Sequence, residues 1–157
     1  MNLKIVEGDL LDQPVEVIVN AWNRNLIPWW LLLPQGVSGA IKRRAGYQPF
    51  QELGKMGCIA AGDARLTSAG RLPYRGIIHV AGINLAWRSS SEIIKQSVAS
   101  ALRIALDNQF NSIAFPLIGA GTGGRRPAEV KSWMVEALRK CQFEGEVIIV
   151  EFLPAEK

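Results

Sequence analysis

Four glycines fall within the six residues Gly119-Ala120-Gly121-Thr122-Gly123-Gly124, between the apolar run Ile113–Ile118 and Pro127. Glycines leave backbone N–H groups uncovered, and a proline suits the first turn of a helix. A strand, a glycine loop and a helix start in direct succession form a cradle for phosphate, because amide dipoles and an uncapped helix end converge on one point. The expected ligand is therefore anionic. Gly119, Gly121 and Gly124 match G-x-G-x-x-G, but no Lys-Ser or Lys-Thr follows, which excludes a Walker loop. A dinucleotide fingerprint is out of place too, since only one helix and one strand remain downstream. The bland alternative is a flexible turn without a ligand.

His79 is the single histidine and invites a general-base reading, yet it sits mid-run in Ile77-Ile78-His79-Val80, where a satisfied interior histidine is the stronger reading. Cys58 and Cys141 are far apart and lack neighbouring Cys or His, so neither a zinc site nor a disulfide framework is indicated. No metal and no cofactor is expected. Two cysteines without a framework suit a reducing, cytoplasmic setting.

With 157 residues, 48% hydrophobic and 20% charged, the chain has the size of one globular domain spanning 1–157. The net charge of +4 and pI near 9.3 favour anionic partners. Basic residues are scattered except for Lys42-Arg43-Arg44 and Arg125-Arg126, so nucleic acid is permitted and not required. The first residues form no cleavable apolar segment, and no apolar run approaches membrane-spanning length. No membrane association is expected, and the oligomeric state stays open.

The elements that must position the glycine loop are legible as short apolar runs at Leu3–Val6, Val15–Val19, Ala64–Thr67, Ile77–Val80, Ile113–Ile118 and Val147–Phe152. Helical patterns fall at 37–46, 48–56, 91–108 and 127–141, with Ile93, Ile94, Val98, Ala101, Leu102, Ala105 and Leu106 in one stripe. Strands alternating with helices predict an α/β fold whose mostly parallel sheet is covered on both faces, with ligands at the carboxyl ends of its strands. One segment is odd. Ile27-Pro28-Trp29-Trp30-Leu31-Leu32-Leu33-Pro34 is strongly apolar in a loop position, which allows a lid, a partner surface or a flap on the chain's own core.

Gly8-Asp9-Leu10, Val17-Ile18-Val19-Asn20-Ala21-Trp22-Asn23, Gln35-Gly36-Val37-Ser38-Gly39-Ala40-Ile41, Gly62-Asp63-Ala64-Arg65-Leu66-Thr67, Ile77-Ile78-His79-Val80 and Phe115-Pro116-Leu117-Ile118-Gly119 occur in that order. Over nearly the whole chain this order resembles the macro domain family. The resemblance implies a three-layer α/β/α sandwich with a mixed, mostly parallel six-stranded sheet. It also implies binding of ADP-ribose or ADP-ribosylated substrates, with hydrolysis of ADP-ribosyl or O-acetyl-ADP-ribose esters in many members. Asp9 matches the carboxylate that accepts from the adenine amino group, with the Leu10 backbone beside it; capping the next turn is its alternative role. Asn23 matches the amide that meets the distal ribose, while Asn20 braces the loop. Gly36, Val37 and Ser38 match the first phosphate segment, and Gly119, Ala120, Gly121, Thr122, Gly123 and Gly124 the second. Phe152 lies where the family places an aromatic against adenine, although core packing accounts for it nearly as well.

The chain also departs from the family. Leu33-Pro34-Gln35-Gly36 replaces a glycine-rich run, and Ser38 stands where the hydrolytic branch has a water-activating aspartate. A serine hydroxyl is no base at neutral pH without a partner to take its proton. Turnover would then rest on a water held between Asn23, the loop amides and the diphosphate, with Asn23 and Ser38 as candidate catalytic residues. Gly123-Gly124 replaces an aromatic at the distal ribose, leaving Arg125 either to reach an anionic group or to stand solvated. A binding module for nucleic acid or poly(ADP-ribose), without catalysis, is the alternative function.

Overall fold

The six apolar runs are the six strands: β1 (Asn2–Gly8), β2 (Val17–Trp22), β3 (Ala64–Thr67), β4 (Gly76–Ala81), β5 (Ser112–Pro116) and β6 (Glu146–Phe152). The four helical patterns are α1 (Gly36–Ala45), α2 (Gln48–Lys55), α3 (Ser91–Asp107) and α4 (Pro127–Arg139). The computed structural model describes residues 1–22, 36–82, 89–120 and 125–152. One sheet runs in the order β1-β6-β5-β2-β4-β3, parallel throughout except for β3, which pairs antiparallel with β4.

Successive side chains of a strand face opposite sides of a sheet, and residue parity here sorts the core into two clusters. Val17, Val19, Ile78, Val80, Ile113, Phe115, Val147 and Ile149 pack with the apolar faces of α3 and α4. Ile18, Ile77, Ala81, Ala114, Ile148 and Val150 pack with α1 and α2 through Ile41, Phe50 and Leu53. Near-continuous apolar runs are what strands covered on both faces require. The edge strand β1 is the exception, with Ile5 46% exposed.

Boundaries shift where local hydrogen bonds compete with the ladder. The Val15 amide donates to the Gln13 carbonyl at 3.0 Å, so β2 begins at Val17 and not at Val15. β5 stops at Pro116 instead of Ile118, and the Ala120 amide turns back to the Leu117 carbonyl at 3.4 Å. Helix α4 ends at Arg139, where the Lys140 and Cys141 amides bond three residues back, to Ala137 and Leu138. A 3₁₀ turn at Leu10–Asp12 gives no periodic signal in the sequence and appears only in the structure.

Candidate functional site

The carboxyl ends of β1, β6, β5, β2 and β4 share one edge of the sheet, because every pair among these neighbours is parallel. That edge carries Asp9 after β1, Phe152 at the end of β6, Leu117–Ala120 after β5 and Gly82 after β4. Strands lie about 4.8 Å apart, so the span from β1 to β2 is roughly 14 Å, enough to lay out an extended nucleotide.

At one end of the edge, Gly8 is paired in register with Phe152. Gly8 has φ of +150°, a region that favours glycine, and the chain leaves the strand there into Asp9. Asp9 caps the 3₁₀ turn, its Oδ1 accepting from the Leu11 amide at 2.9 Å. Its Oδ2 takes no hydrogen bond among the described residues. A carboxylate has lone pairs to spare after one cap bond, so capping and ligand recognition are compatible. The Leu10 side chain is 4% exposed in the core, which leaves only its backbone to the site. Phe152 is 66% exposed. Core packing therefore does not account for it, and a flat apolar ring stands open beside Asp9.

In the middle of the edge, Gly119 adopts φ of +80° and opens the glycine loop. A side chain there would be strained by that backbone, and its Cβ would fall 2.8 Å from the Ser89 hydroxyl. Gly82 is equally constrained, since a Cβ would fall 2.4 Å from Ile118 Cγ2. The far end of the loop is Arg125, followed by Arg126 at the N-cap of α4 without a side-chain cap bond, and then Pro127. The first amides of α4 thus lack a side-chain acceptor, a setting suited to an anion. Gly121–Gly124 lie outside the described residues. So do Asn23 and the Trp29–Leu33 segment. Gly36, Val37 and Ser38 form the first turn of α1.

The Arg125 side chain is 43% exposed and is partnered at the same time. Its Nε donates to the Ser89 carbonyl at 2.9 Å, its Nη1 lies 3.9 Å from Glu129, and its guanidinium sits 5.9 Å from the Trp133 ring centre. Sequence reading missed both Ser89 and this bond, since nothing local joins residues 36 positions apart.

The buried polar groups beneath the sheet are structural. Asn20 and His79 are opposite one another on β2 and β4 and are fully buried. Asn20 Nδ2 offers only protons, so it donates to His79 Nδ1 at 3.0 Å and the ring carries its own proton on Nε2. Nε2 donates to Thr67 Oγ1 at 2.8 Å, and the Thr67 hydroxyl donates to the Ser68 carbonyl at 2.9 Å. Burial pushes the His79 pKa from about 6.5 down to about 3, so the ring is neutral at physiological pH. A satisfied interior histidine is what the structure contains. Asn20 braces the sheet through His79.

Cys58 and Cys141 are free thiols, and burial pushes that of Cys141 up. Among the described residues no group of three or more His, Cys, Asp or Glu side chains could hold a metal ion, and no helix is long and apolar enough to cross a membrane.

Comparison with known proteins gives a consistent picture. The Macro domain profile matches residues 19–134. A macro domain-containing protein of Listeria monocytogenes is 32% identical over 98% of this chain and 89% of its own length. An O-acetyl-ADP-ribose deacetylase of Citrobacter koseri is 35% identical over 80% of this chain and 72% of its own. Among solved structures, a mutant Oceanobacillus iheyensis macrodomain with ADPR superposes with a TM-score of 0.83 at 28% identity, covering 96% of this chain and 85% of the other.

Proposed function

The chain belongs to the macro domain family, and from that premise we propose that it binds ADP-ribose, free or attached to a substrate, along the carboxyl edge of its sheet. Adenine lies against Phe152 with its amino group toward Asp9, the diphosphate lies on the amides of Gly119–Gly124 and the first turn of α1, and the distal ribose meets Asn23. The observation that carries this reading is the pairing of Gly8 with an exposed Phe152. It sets a carboxylate and an aromatic side by side one strand away from the glycine loop. A carboxylate accepts the amino protons of a purine, a ring stacks on its face, and main-chain amides take the phosphates without a metal.

For turnover, the chemistry open to this site is attack by a positioned water and not by one that a side-chain base has deprotonated. Ser38 supplies no carboxylate, so Asn23 and the loop amides orient water against the ester, and the reaction is slow. The test compares wild type, Asn23→Ala and Ser38→Asp on O-acetyl-ADP-ribose and on an aspartate- or glutamate-linked ADP-ribosyl substrate. Release above the uncatalysed rate in wild type, lost in Asn23→Ala and raised in Ser38→Asp, is expected. Uncatalysed rates in all three would leave a reader of ADP-ribose without hydrolysis. Binding itself is checked by titrating ADP-ribose into wild type and Asp9→Asn: tight binding weakened by the substitution is expected, and identical affinities would remove Asp9 from the adenine site.

A further inference from the structure

We propose that Arg125 is a latch that joins the two ends of the phosphate loop to the start of α3, a positioning residue and not a ligand for phosphate. The inference rests on the ADP-ribose reading for its functional consequence, but its geometry stands alone. The two ends of the loop are joined at Arg125 itself, whose amide donates to the Gly119 carbonyl at 3.3 Å. Its side chain then reaches a third piece of chain, donating from Nε to the Ser89 carbonyl at 2.9 Å. Ser89 immediately precedes Ser90, whose hydroxyl caps α3 by accepting from the Ile93 amide at 3.2 Å. One residue thereby ties the close of the loop after β5 to its start, and both to the beginning of α3.

Little else described at that junction can substitute for it. Ser89 is 2% exposed, yet its hydroxyl has no hydrogen-bond partner, so its side chain anchors nothing among the described residues. That hydroxyl instead faces the Cα of Gly119, where only the absence of a Cβ makes room. The guanidinium is held in turn from outside, by Glu129 one helical turn on and by the Trp133 ring on the next. A planar fork held on several sides is pre-organised in a way that a lysine is not. Fixing the two ends of the loop, at Gly119–Ala120 and at Arg125, lowers the ordering cost when the diphosphate arrives, which is where the latch acts on affinity. Arg126, its neighbour, makes no ion pair among the described residues and serves as the matched charge control.

The test pairs calorimetry with hydrogen exchange on wild type, Arg125→Ala, Arg125→Lys and Arg126→Ala. A latch predicts that Arg125→Ala and Arg125→Lys each weaken ADP-ribose and ADP on the order of tenfold while adenosine binding stays as in wild type, and that Arg126→Ala changes none of these. It also predicts faster exchange in unliganded Arg125→Ala confined to the peptides around 117–125 and 89–92. Full rescue by lysine, or an equal loss in Arg126→Ala, would show that charge alone acts and overturn the latch. Equal loss of adenosine would reduce Arg125 to general stability. Unchanged exchange in Arg125→Ala overturns the latch whether or not wild type binds, whereas faster exchange in a wild-type background that ignores ADP-ribose removes the binding reading and leaves the latch standing.

Discussion

Phe152 is the residue on which the adenine end of the account turns. Because it is 66% exposed, truncating it removes little core, so Phe152→Ala should leave the melting temperature almost unmoved. Stacking of a base on an aromatic is worth about 1–3 kcal/mol, so the same substitution should weaken ADP-ribose by about 5- to 150-fold, measured by calorimetry. A fall in stability without a change in affinity would return Phe152 to packing. At this scale the sequence shows some things well and others poorly. Asp9 and Phe152 stand at the ends of apolar runs, and strand ends are where an α/β sheet places its ligands. The partnership of Arg125 with Ser89 is invisible because it is made by tertiary folding between two loops, with no periodicity to mark it. His79 is informative in the opposite direction, since its apolar neighbours already argue for a buried, neutral ring, and its two partners on β2 and β3 complete that argument.

Elements differ in how clearly they announce themselves. Strands buried on both faces and amphipathic helices have periods, and all ten appear where the apolar runs and stripes place them. The 3₁₀ turn at Leu10–Asp12 has none, being made by two backbone bonds, from Asp12 to Asp9 and from Gln13 to Leu10, with the Asp9 cap, and the ends of β2, β5 and α4 depend on turns that compete with the ladder for the same amides. The bond chain from Asn20 through His79 to Thr67 belongs to the sheet, joining β2, β4 and β3 beneath α2. Its consequence is a pH dependence of stability. The unfolded histidine binds a proton below about pH 6.5 and the folded one only near 3, so the unfolded state holds the extra proton in between and folding weakens as pH falls through that window. Above pH 6.5 the contribution is fully present. Denaturant unfolding should show a loss of about 2 kcal/mol between pH 7.5 and pH 5 that His79→Gln flattens. The lowered carboxyls of Glu16, hydrogen-bonded by Arg75, and Glu136, bonded by Lys95, act in the same sense but only below about pH 4.5, outside this range. An unchanged slope in His79→Gln would place the titrating group elsewhere.

For the molecule as a whole, the excess of positive charge is modest and partly engaged. Arg44 lies 3.5 Å from Asp12, Arg75 pairs with Glu16 at 2.6 Å and Lys131 with Glu151 at 2.6 Å. A pocket that grips one diphosphate through amides should be only mildly sensitive to salt, whereas a surface contacting a polynucleotide through six to ten phosphates loses about 10³–10⁵ in affinity between roughly 50 and 200 mM. ADP-ribose affinity is expected to fall by less than about tenfold over that range. Any polynucleotide bound should be displaced by free ADP-ribose if it shares the cleft, and retention of the polynucleotide would mark a separate basic surface. The most direct measurement is a crystal structure of the chain grown with saturating ADP-ribose. Adenine on the Phe152 ring with its amino group at Asp9, and the diphosphate along Gly119–Gly124, is the expected result. A cleft found closed by the chain itself, or a nucleotide seated away from that edge, would contradict it.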